Sequence, residues 1–250
     1  MDAKNRIAVC ANTPNGGPAH YGPPKVDSKI KPGTKAAMVD VRWEDSTVMV
    51  GFLDGSGDWG QTLRVQVQQI APIWSQYANI TFQFVEGPTN DITIAFEPTQ
   101  FSYGTYSSYL GTDSRQFSRT GRASMNLIFN RDDPNNTGDE FRRVILHEFG
   151  HALGLIHEHM RPDRPILWNQ EAVYDYYHAL TGWDWTMIKA QVIDPYDAKI
   201  IGQTEFDPNS IMMYPFQAGL ATYEDGTSFT TGWNRDLTQS DIDLIKQVYP

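Results

Sequence analysis

His147-Glu148-Phe149-Gly150-His151-Ala152-Leu153-Gly154-Leu155-Ile156-His157-Glu158 decides how this chain is read, because it sets three imidazoles, a carboxylate and a glycine at spacings suited to one metal ion. In a helix, His147 and His151 stand one turn apart on one face, so their ring nitrogens can meet on a single cation, with Glu148 directed toward the same cleft. A helix continued to His157 would carry that ring about 15 Å along the axis, out of reach of the same ion. The chain therefore has to turn back. Gly154 sits where the turn is needed and can take the left-handed conformation that ends helices. Three neutral imidazoles with a fourth position left for water describe a catalytic zinc site rather than a closed structural one, so the cofactor expected is one catalytic Zn2+ ion. Glu148 is then placed to act as general base toward that water and as general acid toward a leaving group. A bare HExxH occurs by accident far more readily than HExxH followed by this glycine and this histidine.

Working outward, Thr137 with Glu140 three residues on predicts a capping box at the start of the metal-binding helix. Phe141, Val144, Ile145 and Phe149 supply the apolar stripe of that helix. Upstream, β-branched and apolar runs predict strands at Thr47–Leu53, Ile80–Val85, Asp91–Phe96, Tyr106–Leu110 and Ser124–Phe129. Between the first two lies a helix with Leu63, Val67, Ile70, Ile73 and Trp74 on one face, introduced by Asp58 as its cap. Downstream, helices are expected over Gln170–Leu180, Thr186–Val192 and Thr238–Val248, the last capped by Thr238 and Asp241. Residues 1 to about 35 are rich in Pro, Gly, Asn and Lys, with little apolar periodicity, and read as an extended arm.

The extended zinc motif resembles that of the metzincin peptidases, and Glu158 directly after the third histidine resembles the mark of the astacins among them. Ser210-Ile211-Met212-Met213-Tyr214 is similar to the astacin methionine turn, and His159-Met160-Arg161-Pro162-Asp163-Arg164 to the segment that follows the zinc helix. The resemblance spans about residues 36 to 250 and departs from the animal pattern in having one cysteine in place of disulfides, as in a microbial branch. It implies an α+β, zincin-like fold: a twisted five-stranded mixed sheet with helices in an upper half (36–154), a largely irregular and helical lower half (155–250), and an active-site cleft between. It implies a zinc-dependent endopeptidase acting on peptide or protein chains, with His147, His151 and His157 on the metal. Met212 would pack beneath the metal, and Tyr214 would stabilise the oxyanion. Ser107–Gly111 would be the edge strand that pairs with an extended substrate. Residues 1–35 would be a pro-segment whose removal after Lys35 frees Ala36-Ala37-Met38, with the new ammonium pairing to Glu158. Two rival readings share the motif: a catalytically silent zinc-containing module that only holds a peptide, and an intracellular effector peptidase. Retention of Glu148 argues against the first.

With 30 acidic against 20 basic side chains and a net charge of −10, the chain repels phosphate backbones, so nucleic acid is excluded as a partner. No apolar run is long enough to span a membrane, and the first residues, Met1-Asp2-Ala3-Lys4-Asn5-Arg6, lack the apolar core of a signal peptide. The family resemblance implies an extracellular, monomeric enzyme, while the missing signal leaves delivery from the cytoplasm open. The single cysteine, Cys10, forms no internal disulfide. It reads first as a free thiol in the arm and second as a thiolate switch that could ligate the zinc of the uncut chain. His20, His159 and His178 are assigned exposed or structural positions, because three ligands already complete the zinc set. Asp54, Ser56 and Asp58 alternate like a calcium loop but lack its later glycine and glutamate, so a turn is the better reading.

Overall fold

The first β-branched run forms β1 (Thr47–Phe52) at the heart of a five-stranded sheet, where Val48, Val50 and Phe52 are buried. A computed structural model describes residues 41–98, 106–195 and 205–250; the readings of Cys10, His20, the arm 1–35 and residues 36–38 lie outside them. β1 is flanked in parallel by β2 (Thr81–Phe84) and β3 (Ile92–Ala95), with Val50 opposite Phe84 on one side and Ile92 on the other. β5 (Met125–Asn126) continues the parallel order beside β3, and β4 (Ser107–Ser108) closes it antiparallel, giving the order β2-β1-β3-β5-β4. All four residues of β3 are buried, as a parallel strand covered on both faces requires.

β4 and β5 are shorter ladders than the sequence suggests. Single main-chain bonds extend the pairing instead: Ser124 N–H donates to the Thr93 carbonyl at 2.8 Å and Leu127 N–H to that of Ala95 at 2.9 Å. Asp58 opens α1 (Asp58–Ile70) but does not cap it; the cap residue is Gly57, and Asp58 contributes its negative charge to the first turn. Leu63, Val67 and Ile70 bury the inner face of α1, and Trp74 in the 3-10 turn Ala71–Gln76 donates its indole N–H to the Leu146 carbonyl at 3.0 Å. That carbonyl belongs to the helix that carries His147 and His151, α3 (Gly138–Ala152); the short α2 (Ser114–Ser118) precedes it.

The capping box expected at Thr137 does not form. Thr137 is the cap residue without a side-chain bond, because Glu140 is taken by Arg143, which holds it through two hydrogen bonds of 2.9 and 2.6 Å. Beyond Phe141, nearly every residue of α3 is buried, so the helix runs through the core rather than over it. Its end is pinned by Trp43, whose indole donates to the Ala152 carbonyl at 2.7 Å, and by the Tyr249 hydroxyl, which donates to that of Leu153 at 2.9 Å.

Two apolar clusters flank the cleft. One joins the sheet, α1, α3 and α6 (Gln239–Val248), and includes Ile211 and Met212. The other gathers α4 (Gln170–Thr181), the turn after it and the segment from Met213 to Phe229. The helix expected over Thr186–Val192 divides into α5 (Trp185–Ile188), capped by Asp184, and a π-turn over Lys189–Ile193. A two-stranded ribbon of β6 (Leu167–Trp168) and β7 (Ala221–Thr222) is an addition too short to leave a periodic signal. Thr238 and Asp241 make both arms of a capping box on α6, as read from sequence. Among the described residues no helix is long and apolar enough to cross a membrane.

Candidate metal centre

Gly154 takes φ +91° and reverses the chain at the end of α3. Two main-chain bonds lock the reversal: Gly154 N–H donates to the His151 carbonyl at 2.8 Å and Leu155 N–H to that of Gly150 at 2.9 Å, the paired bonds of a Schellman ending. The turn also presents the Leu155 carbonyl to His151, whose Nδ1 donates to it at 2.7 Å. Three residues after Gly154, the His157 ring lies back over the helix, with its Nε2 at 3.2 Å from that of His147 and 3.1 Å from that of His151. The three ligand atoms all fall within 4.8 Å of one another in a buried setting.

His147 is oriented from the far side of the chain, its Nδ1 donating to the Ile211 carbonyl at 2.7 Å. The turn that carries Ile211 is fixed by Asp241 of α6, which accepts from the Ser210 hydroxyl at 2.6 Å and from Ile211 N–H at 3.0 Å. Ser210 Oγ in turn accepts from Met212 N–H at 3.0 Å. Met212 is thereby directed onto α3. A Cβ added at Gly150 would lie 2.4 Å from the Met212 sulfur and 3.3 Å from the Trp74 ring, so Gly150 is the notch that seats the methionine.

The donor set fits zinc. Carbonyl oxygens only accept, so His147 and His151 must each carry their proton on Nδ1, and in the neutral rings both Nε2 atoms keep lone pairs facing His157. A single proton on His157 Nε2 could satisfy one of these neighbours but not both, whereas one cation between the three nitrogens satisfies all. Burial holds the rings neutral. It pushes His151 down to about 4 and sets His147 and His157 well below the ordinary imidazole value, with the neighbouring His151 as the next cause for each.

Glu148 and Tyr214, the residues singled out for chemistry, line one small cavity of about 10 Å³ together with His147, Arg143, Tyr106 and Pro215. That is about the space of one water. The Tyr214 ring packs 4.3 Å from His157 and 4.5 Å from His159, centroid to centroid. Glu158 is buried and accepts from Arg161 at 3.0 Å and from Asp207 N–H at 2.9 Å. Arg161, itself fully buried, also forks onto Asp163 at 2.8 and 2.6 Å.

Several neighbours were not assigned from sequence. Arg143 was detectable, since it stands four residues before His147 on the same helical face. Gly150, Asp241 and the two orienting carbonyls leave no comparable local signal. Of the other histidines, His178 is exposed, and its Nδ1 donates to the Trp183 carbonyl at 2.7 Å. His159 is fully buried, stacked 5.1 Å from His157, and its Nδ1 has no hydrogen-bond partner among the described residues.

The family model described as Astacin, a peptidase family, matches residues 39–250. The chain is similar to a solved structure of myroilysin at 33% identity and a TM-score of 0.74, covering 86% of this chain and 98% of that one. It is similar to a second myroilysin structure at 29% identity and a TM-score of 0.62, covering 100% and 93%. High choriolytic enzyme 1, a hatching enzyme zinc-protease from the medaka fish Oryzias latipes, shares the fold at 18% identity and a TM-score of 0.54, covering 85% of this chain and 96% of that one. Zinc metalloproteinase nas-30 of Caenorhabditis elegans is 24% identical over 194 residues, 78% of this chain. The chain spans 20% of that relative's length.

Proposed function

We propose, since the chain belongs to the astacin family of peptidases, that it is a zinc-dependent endopeptidase in which Glu148 is the general base and Tyr214 the oxyanion donor. The observation that carries this is the convergence of three buried, tautomer-fixed imidazoles beside a cavity shared by Glu148 and Tyr214. Zinc bound at the three imidazoles supplies a Lewis acid that acidifies water and polarises the scissile carbonyl. Glu148 takes a proton from the attacking water on its carboxylate and passes it to the departing amine nitrogen as the C–N bond breaks. The Tyr214 hydroxyl donates to the carbonyl oxygen as charge gathers there. His147 and His151 would hold the ion through their Nε2 lone pairs, because the Ile211 and Leu155 carbonyls take their Nδ1 protons.

The substrate is a peptide or protein chain. Its main chain runs along β4, the last strand in the sheet order among the described residues. Hydrolysis of a denatured protein, followed with zinc content measured on the same sample, tests the assignment. A chelator should abolish cleavage and added zinc should restore it. Full cleavage by chain stripped to below about a tenth of a zinc per molecule would refute the assignment.

A further inference from the structure

His159 stands two residues after His157 on the 3-10 turn Glu158–Met160 and is fully buried. Its polar atoms do little to hold it. Nε2 donates to the Gln191 carbonyl at a long 3.4 Å, and Nδ1 meets no hydrogen-bond partner among the described residues. The ring faces carry its contacts instead. His159 stacks on His157 at 5.1 Å with 22° between the ring planes, and Tyr214 packs against both, 4.3 Å from His157 and 4.5 Å from His159. The three rings form a closed triangle, with sides in the range of favourable aromatic contact.

The lower half holds His159 in that triangle. Phe216 meets it edge to face at 5.1 Å, Trp168 of β6 lies behind at 6.3 Å, and Phe216 and Trp168 meet each other at 5.1 Å. The Gln191 carbonyl comes from the π-turn over Lys189–Ile193. Of the three rings in the triangle, only that of Tyr214 lines the small cavity it shares with Glu148. His159 is therefore placed to act on that cavity through the ring it supports. Tyr214 is itself only 4% exposed, so its hydroxyl goes where the packing of its ring sends it.

We propose that His159 is a positioning residue: with His157 it forms the seat of the Tyr214 ring and so fixes where the phenol hydroxyl meets the oxyanion. The inference rests on the peptidase reading above. A donor of this kind is effective only at close range, and a displacement of about 1 Å can cost roughly a hundredfold in rate.

Steady-state kinetics on zinc-loaded His159→Ala and His159→Leu test it, the second variant keeping the buried bulk while removing the flat face. Both should lower kcat by roughly ten- to a hundredfold with KM within about twofold of wild type. His159→Phe, which restores a flat ring, should recover kcat to within about threefold of wild type. In a Tyr214→Phe background the loss should shrink to less than about twofold, because the hydroxyl that His159 aims is already gone. An unchanged kcat in either variant that folds with its zinc overturns the proposal, as does a loss of the same size in the Tyr214→Phe background. A variant that folds but sheds its zinc overturns it too, because His159 would then act through His157. Nuclear magnetic resonance of the zinc-loaded chain carrying 13C-labelled tyrosine separates the seat from the peptidase reading. The two edges of the Tyr214 ring, assigned by their absence from Tyr214→Phe, should give separate signals in wild type and merged signals in the Ala and Leu variants. The same pattern in a chain whose wild type cleaves nothing would support the seat and reject the peptidase. Signals that are alike in wild type and variants, beside normal wild-type cleavage, would remove the seat and leave the enzyme intact.

Discussion

Glu148 is buried beside His147 in a space about the size of one water, and that placement gives its carboxylate one task that its neighbours cannot share. The Arg143 guanidinium cannot accept a proton, and the imidazole Nδ1 atoms of His147 and His151 are spent on carbonyls. Glu148→Ala should therefore fold and keep its zinc while losing roughly a hundredfold to ten-thousandfold in kcat, the range for a general base. Metal content by atomic absorption, beside steady-state kinetics, checks both halves; activity within about threefold of wild type would discard the mechanism. Tyr214 predicts a different pattern. On the proposed mechanism its hydroxyl acts only as the oxyanion forms, so Tyr214→Phe should lower kcat roughly ten- to a thousandfold with little change in KM. An unchanged kcat would make the hydroxyl structural. The clustering of His147, His151 and His157 was legible because all three lie within one short stretch whose spacing allows few alternatives. The carbonyls of Ile211 and Leu155 were not, because any residue can supply a carbonyl and only the folded path decides which one arrives.

At the level of elements, the join between α3 and the turn at Met212 depends on a missing side chain at Gly150. A methyl group there would overlap the methionine sulfur. Overpacking of this kind costs about 1–3 kcal/mol, and the better helix propensity of alanine returns only about 1 kcal/mol, so the net effect should be destabilising. Gly150→Ala is expected to lower Tm by several degrees, roughly 2–4 °C per kcal/mol for a chain of this size, in calorimetric scans. A rise in Tm would show that Met212 relocates freely. The periodicity of α1, α3, α4 and α6 was sufficient to find them, and the apolar runs were sufficient to find five strands. What sequence misjudged was competition for the same side chain. Glu140 has the spacing of a capping partner, but Arg143 binds it more strongly through two charge-assisted bonds. The ribbon of β6 and β7 and the π-turn after α5 are too short for any period to register.

For the whole molecule, the buried imidazoles make the metal-free fold sensitive to acid. His151 is pushed down to about 4 and His159 to about 3, chiefly by burial, whereas in the unfolded chain both return to the ordinary value near 6.5. The unfolded state then binds more protons than the folded one between these limits. The stability of chelated protein should be fully present above about pH 6.5 and fall steadily toward pH 4, as read from urea midpoints across that range. A flat profile would mean that the rings are hydrated in the metal-free state. The five-stranded sheet and the reversal at Gly154 followed from local patterns, while the dependence of the site on α6 required the complete fold. Asp241, which fixes the turn bearing Ile211 and Met212, is 94 positions beyond His147 in the sequence. This distance imposes an order of assembly. Helical turns and short reversals close quickly, and long loops close late. The three histidines lie close together in the sequence, but the carbonyl that orients the first of them and the methionine seated beneath α3 both hang on the distant Asp241. A chain whose last helix has not docked therefore lacks what aims its first imidazole, so cutting power should depend on the far end of the chain as much as on the motif itself.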